Sequence, residues 1–272
     1  MTSLIFDAWA WLFARASFVK LNRFLYTASL RGLGVLNFGS MQRSGETHFL
    51  QRLFAAYGSA VDGTHVVLDV GANVGNYTSA ILAVAPSARV FCFEPHPTNI
   101  AKLRQSVGKA ATVVPRAVGA QVGSLDLFDY ADEDGSSHAS VYKDVFEKIH
   151  HRAHVSHRVE VTTIDSFLEH EEVGQIVLLK IDTEGHELAV LTGASRALAE
   201  GRIDVVHFEF NEMNIASRTF IGDFFQHLPG FDLYRLLPNG WISVRNRPLE
   251  NVFAFQNIVA IRCGCRAHEM LC

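Results

Sequence analysis

The chain has 272 residues, 49% hydrophobic and 19% charged, with a formal net charge of −4. That is enough apolar sequence for one sizeable core, and a slightly acidic chain without a Lys/Arg-rich run carries no footprint for nucleic acid. Four cysteines (Cys92, Cys263, Cys265 and Cys272) include no C-x-x-C pair, and a chain of this length needs no disulfide framework, so a reducing, cytoplasmic compartment is expected.

The opening stretch "MTSLIFDAWAWLFARASFVKLNRFLYTASL" is apolar and aromatic, yet Asp7, Arg15, Lys20 and Arg23 interrupt it. Its charge-free runs fall far short of the roughly 20 residues of a spanning helix. An acidic residue ahead of the apolar run argues against a secretory leader. Ile5, Trp9, Leu12, Phe13 and Ala16 fall at helical spacing. They predict an amphipathic helix that packs on the core or on a second subunit. Its other use is to lie on the inner face of a membrane, because Trp and Phe beside Arg and Lys suit that interface. Next, "SGETHFLQRLFAAYG" predicts a helix capped by Ser44, with Glu46 in its positive first turn and Gly58 at its end.

From there apolar runs alternate with helical patterns, among them "HELAVLTGASRALAEG" over 186–201. The runs at 65–70, 88–95, 111–119, 124–130, 157–164, 176–182 and 203–210 read as strands. β-Branched and aromatic residues on both faces mark buried parallel strands, so a three-layer α/β domain is expected. Two late runs, "FDLYRLLP" and "NVFAFQNIVAIR", joined by turn-rich "NGWISVRNRP", predict an antiparallel pair at the sheet edge. The expected organisation is a helical extension over 1–59, the α/β domain over 60–263 and a tail over 264–272.

The most informative corner is "LDVGANVGNYTSAIL", residues 68–82. Gly71 and Gly75 follow the first strand, where Gly71 lets the backbone turn and approach a ligand without a Cβ. The helix opening near Asn76 points free N–H groups at the same space, which favours a carboxylate or phosphate. Glu94, in "FCFEPHPTN", ends the second strand, where a carboxylate can accept both hydroxyl protons of a ribose. The spacing lacks the G-x-G pair of dinucleotide sites, and Asp69 would repel phosphates while suiting an ammonium group. Those two features favour S-adenosylmethionine over a dinucleotide, and methyl transfer over hydride transfer.

Together with "VEVTTIDSF", "IVLLKIDTEGHELAVLTGA" and "VVHFEFNE", these segments resemble, in order, the motifs of FkbM-type methyltransferases over about residues 44–262. The resemblance implies a Rossmann-like seven-stranded sheet, mostly parallel with an antiparallel edge. It also implies O-methylation of a hydroxyl on a sugar, glycan or secondary metabolite, often in polysaccharide assembly. Mapped by motif, Asp69, Gly71, Ala72, Asn73, Gly75, Tyr77 and Thr78 would surround the methionine end of the cofactor. Glu94 would hold the ribose with Pro95 nearby, Ala117 and Val118 would flank the adenine, and Asp182 would close the pocket.

The hydroxyl acceptor needs a base. "KIDTEGHE" offers Asp182 and Glu184, two apart and so on one side of an extended chain, with His186 as a further base. "HFEFNE" adds Glu209 and Asn211, and these oxygen-bearing groups could together hold Mg²⁺ or Ca²⁺. "HHRAHVSH", with His150, His151, His154 and His157, reads as a solvated or substrate-facing loop, and "CGCRAHEMLC" as a frayed end. Two other functions stay open on the residues alone: an NAD-type oxidoreductase on the same sheet, and a non-catalytic S-adenosylmethionine-binding subunit.

Overall fold

A computed structural model describes residues 2–58, 65–132, 135–136 and 139–272. In chain order the strands are β1 (Val66–Val70), β2 (Arg89–Phe93), β3 (Thr112–Val114), β4 (Ala117–Val118), β5 (Gly123–Tyr130), β6 (His154–Thr162), β7 (Ile176–Ile181), β8 (Ile203–Phe210), β9 (Phe231–Leu237), β10 (Gly240–Ser243) and β11 (Gln256–Arg262). The main sheet runs β10-β9-β11-β8-β7-β1-β2-β3. Its pairs from β3 to β8 are parallel, and β11, β9 and β10 add an antiparallel edge.

Alternate residues of the central strands enter two different cores. Leu68, Val70, Phe91 and Phe93 belong to the cluster on one face, Val67, Val90 and Cys92 to that on the other. This is why the runs are apolar at consecutive positions. The helix Glu46–Tyr57 closes the second face with Phe49, Leu50, Leu53 and Phe54, all buried. Each such side chain contributes about 1.5–3 kcal/mol relative to exposure.

Four sequence expectations change in detail. The run 111–119 splits in two because Pro115 has no N–H to donate. Arg116 N–H turns back to the Val114 carbonyl at 2.8 Å, and β4 leaves for another sheet. There β4, β6 and β5 form a separate three-stranded sheet, whose β5 is mostly exposed or half-buried at its first residues, unlike the central strands. The connection after β9 contains β10, so the main sheet has eight strands rather than seven. Finally, Gly45 (φ 90°), not Ser44, sits at the start of the 46–57 helix, and the Ser44 hydroxyl donates to Glu46 Oε2 at 2.6 Å.

The two ends also differ from expectation. The first residues form two helices, Thr2–Phe13 and Val19–Gly32, joined by a turn at Ala16–Phe18. Their side chains do not pack on the core of this chain: Leu4, Phe6 and Trp11 are 73%, 70% and 73% exposed, and no residue of the second helix is buried. No helix among the described residues is long and apolar enough to cross a membrane. The last residues are not frayed, since Arg266–Leu271 is helical and Ala267 is fully buried.

Candidate active site

β1 and β7 end side by side, Val70 opposite Ile181, while β2 flanks β1 on its other side. Strand order reverses there, and a crevice opens beyond the carboxyl ends. It is a cavity of about 500 Å³, within the usual range of small-molecule sites. The small sheet leans over it through Leu127, and the segment after β5 through Ala139 and Val141, anchored where the Ser140 hydroxyl donates to the Glu184 carbonyl at 2.8 Å.

Gly71 has φ +82°, and a Cβ there would lie 1.8 Å from the Asp182 carbonyl oxygen. The glycine is therefore required by the neighbouring strand's backbone, not only by approach to a ligand. Asp182 N–H in turn donates to the Val70 carbonyl at 2.9 Å, locking the two strand ends together. Gly75 also sits in left-handed backbone, at φ +90°, and a Cβ would press on Leu103 at 2.9 Å and Val107 at 3.0 Å.

Glu94 is buried at the cavity wall, where its two oxygens accept backbone N–H bonds from Asn73 (2.9 Å) and His96 (2.7 Å). Burial pushes its carboxyl up to about 7, against the lowering effect of those two N–H groups. Each oxygen keeps a further acceptor site. Close by, buried Asn99 lines the cavity with a side-chain oxygen that has no partner among the described residues. An unpaired buried acceptor is costly in an empty protein and suits a ligand donor.

On the other side, Asp182, Glu184, His186 and Glu209 all line the same cavity. Glu184 is not in extended backbone as its spacing suggests: its φ is +51°, and Gly185 follows at +101°. The turn still brings its carboxylate to Asn211, whose side-chain N–H₂ donates to Glu184 Oε2 (3.2 Å) and to Glu209. Asn211 Oδ1 accepts from Met213 N–H at 2.8 Å, which fixes that orientation. The amide therefore presents N–H, not oxygen, to the carboxylates, and the four-oxygen set expected for Mg²⁺ or Ca²⁺ does not fit as placed. Burial pushes Glu209 well above the usual carboxylate range, helped by Asp182 and Glu184. Burial also pushes the His186 imidazole down to about 4, so it is neutral at pH 7.

The group that the motif reading passed over is Lys180. It is 2% exposed near the carboxyl end of β7, with Nζ 3.4 Å from Asp182 Oδ2 and above the Tyr77 ring at 5.4 Å. Burial opposes its charge, but Asp182, Glu46, Glu209 and Asp69 outweigh that and raise its affinity for the proton. A lysine inside the otherwise apolar run "IVLLKI" was the available signal, because a buried cation demands anionic company.

Of the residues expected at the cofactor, Gly71, Asn73, Glu94, Pro95, Ala117, Val118 and Asp182 line the cavity. Asp69, Ala72, Gly75, Tyr77 and Thr78 stand behind its wall. Asp69 is 1% exposed and accepts from the Thr78 hydroxyl at 2.6 Å; burial raises its carboxyl to about 6. The Tyr77 hydroxyl meets His207 Nδ1 at 2.7 Å. The histidine segment is loop only over 151–153: a helical turn ends at His150 and His154 already opens β6.

A doubly wound sheet with a glycine crossing and a buried acidic residue after its second strand is the layout that many nucleoside-binding α/β proteins share. The chain belongs to the FkbM methyltransferase domain family, whose signature matches residues 69–232. It is 29% identical over 136 residues to the hexuronic acid methyltransferase AglP of Haloferax volcanii, covering 49% of this chain and 51% of that one. To the 2-O-methyltransferase NoeI of Sinorhizobium fredii it is 25% identical over 192 residues, 64% of this chain and 75% of that one. The chain thus spans about half the length of the first relative and three quarters of the second. A methyltransferase FkbM structure from Methylobacillus flagellatus superposes with a TM-score of 0.45 at 16% identity, over 78% of this chain and 47% of that one.

Proposed function

We propose that this protein is an S-adenosylmethionine-dependent O-methyltransferase acting on a hydroxyl of a sugar or glycan. Residues 60–263 carry the chemistry, and 1–59 and 264–272 flank it. One observation carries the reading: a single cavity has nucleoside-type acceptors on the β2 side and three carboxylates beside a buried lysine on the β7–β8 side. The activities named for the two relatives, on hexuronic acid and at a 2-O position, support a sugar acceptor.

S-adenosylmethionine supplies an electrophilic methyl group when bound. Glu94 accepts from the ribose hydroxyls with the oxygen sites that Asn73 and His96 leave free. Asn99 Oδ1 accepts a donor of the nucleoside, and Ala117 and Val118 flank the adenine. Asp182, with its carboxylate 3.4 Å from Lys180 Nζ, orients the acceptor hydroxyl and takes its proton, with Glu184 and Glu209 in support. Lys180 brings the positive charge that a divalent cation would otherwise contribute. Phe38, contributed by the N-terminal extension, lines the cavity packed edge-on against Phe255 at 6.2 Å between ring centroids and forms the acceptor-side wall with it.

Calorimetry tests the cofactor half. S-adenosylhomocysteine should bind and NADH should not, and Glu94→Ala should weaken binding by about 1.5–3 kcal/mol. Because the ribose donates to an ionised carboxylate that protonates near pH 7, wild-type affinity should rise from pH 6 to pH 8, and the variant should lose that slope. Unchanged affinity in Glu94→Ala removes the ribose assignment. Labelled methyl donor supplied with hexuronic acids and other sugars tests the other half; no labelled sugar ether would sink it.

The N-terminal helices extend the proposal to an anionic membrane surface. Their exposed aromatic side chains stand beside Arg15, Lys20, Arg23 and Arg31, with Asp7 as the one acidic residue in 1–31. Such a face suits the headgroup boundary. Deletion of residues 1–31 should abolish sedimentation with anionic vesicles and leave the melting temperature unchanged. A lowered melting temperature with vesicle binding intact points to a packing role instead.

A further inference from the structure

At the opposite end of the sheet from the cavity, three side chains of mixed chemistry converge. Ile261 lies opposite Val205 near the start of β8, whereas the cavity opens where β8 ends. Just beyond Ile261, His268 Nε2 is 2.9 Å from Asp232 Oδ2, and Cys263 Sγ is 3.7 Å from the same oxygen. The three atoms all lie within 4.8 Å of one another. A tetrahedral ion with bonds of about 2.0–2.3 Å sets its ligand atoms roughly 3.3–3.7 Å apart, so closure needs side-chain shifts on the order of 1 Å.

The backbone already holds these groups in place. Asp232 pairs with Ile261 across β9 and β11, and Cys263 N–H donates to the Gly230 carbonyl at 2.9 Å. His268 belongs to the helix Arg266–Leu271, which is seated by buried Cys265 and Ala267. All four cysteines are free thiols, and Cys263 is exposed to solvent, so an ion can reach it. One sulfur, one imidazole and one carboxylate are a zinc-type donor set, whereas Mg²⁺ and Ca²⁺ want oxygen alone. Cys272 follows His268 by one helical turn, with its N–H on the His268 carbonyl at 3.1 Å, which puts a second thiol on the same helix face.

We propose that Asp232, Cys263 and His268 form a zinc site, with Cys272 placed for the fourth position, that fastens the last helix to the sheet. The site lies outside the methyl-transfer machinery and acts on stability.

The untagged full chain, stripped by chelator and dialysed, tests this with Co²⁺ and Zn²⁺. Added Co²⁺ should give a thiolate-to-cobalt charge-transfer band that saturates at one equivalent. Zn²⁺ should bleach that band and raise the melting temperature. Cys263→Ser and His268→Ala, both at accessible positions, should melt like the metal-free wild type and show neither response. Absence of the band in the wild type overturns the site. So does a band and a Zn²⁺-dependent melting shift that survive in both variants. S-adenosylhomocysteine affinity should be the same with and without zinc, and a difference would contradict the separation of the two sites.

Discussion

Asp182→Asn is expected to bind S-adenosylhomocysteine like the wild type while methyl transfer falls by about 10²–10⁴-fold, the usual loss for a positioned base. The backbone of Asp182 is locked to β1 through Val70, so the carboxamide stays where the carboxylate was. Its side chain is 39% exposed to the cavity, and Lys180 Nζ lies 3.4 Å from its carboxylate. The amide preserves shape and removes only the charge that receives the proton. Glu209 is pushed up by burial first and by Asp182 next, so loss of the Asp182 charge eases Glu209 toward ordinary values. The residual rate should therefore have a pH profile shifted to lower pH. A variant that binds normally and turns over within a few-fold of wild type overturns the assignment. Chelation should leave the wild-type rate unchanged, because Asn211 turns N–H groups toward the carboxylates; recovery by added Mg²⁺ after chelation would install a metal there instead.

Lys180→Met should destabilise the fold by about 3–5 kcal/mol at pH 8, the cost of breaking a buried ion pair from one side. Methionine roughly matches the stem, so the loss is mainly electrostatic. Asp69, Asp182, Glu46 and Glu209 all act on this one ammonium group, and without it the buried ones among them lose their counter-charge. The sign with pH follows from linkage. Asp69 sits at about 6 in the fold, above the roughly 3.9 of an unfolded aspartate. The folded state therefore holds more protons across that window, and stability falls as pH rises through it. Removing Lys180 pushes the folded values higher and extends that fall beyond pH 7. The deficit of the variant should thus be small at pH 5 and full at pH 8. Denaturant melts at both values measure it; a deficit equal at both would mean that packing, not charge, is lost.

Much of the scaffold was legible locally. β8 falls on the residues 203–210 read from the apolar run, and β1, β2 and β7 lie within theirs. The antiparallel edge of β9 and β11 also follows from short-range spacing. Glu94 and Asp182 are on one cavity because each ends a strand, and strand ends in a doubly wound sheet open on the same side. The helical pattern 186–201 reads as one element, yet it breaks at Gly193, where a Cβ would lie 2.1 Å from the Gly119 carbonyl. That contact joins residues 74 positions apart, and no local pattern contains it.

By itself the sequence determined the element types, the motif order and the residues that end each central strand, because propensity, periodicity and glycine turns act over a few positions. Tertiary structure alone decided which sheet β5 and β6 joined, and that the first two helices stand away from the core. It also decided that Gly71 yields to the Asp182 backbone, that Lys180 lies amid four carboxylates, and that Asp232 meets Cys263 and His268 from more than thirty residues away. The reason is physical: those outcomes depend on which chain segments exclude water from one another, and that is set by the packed whole rather than by neighbours along the chain.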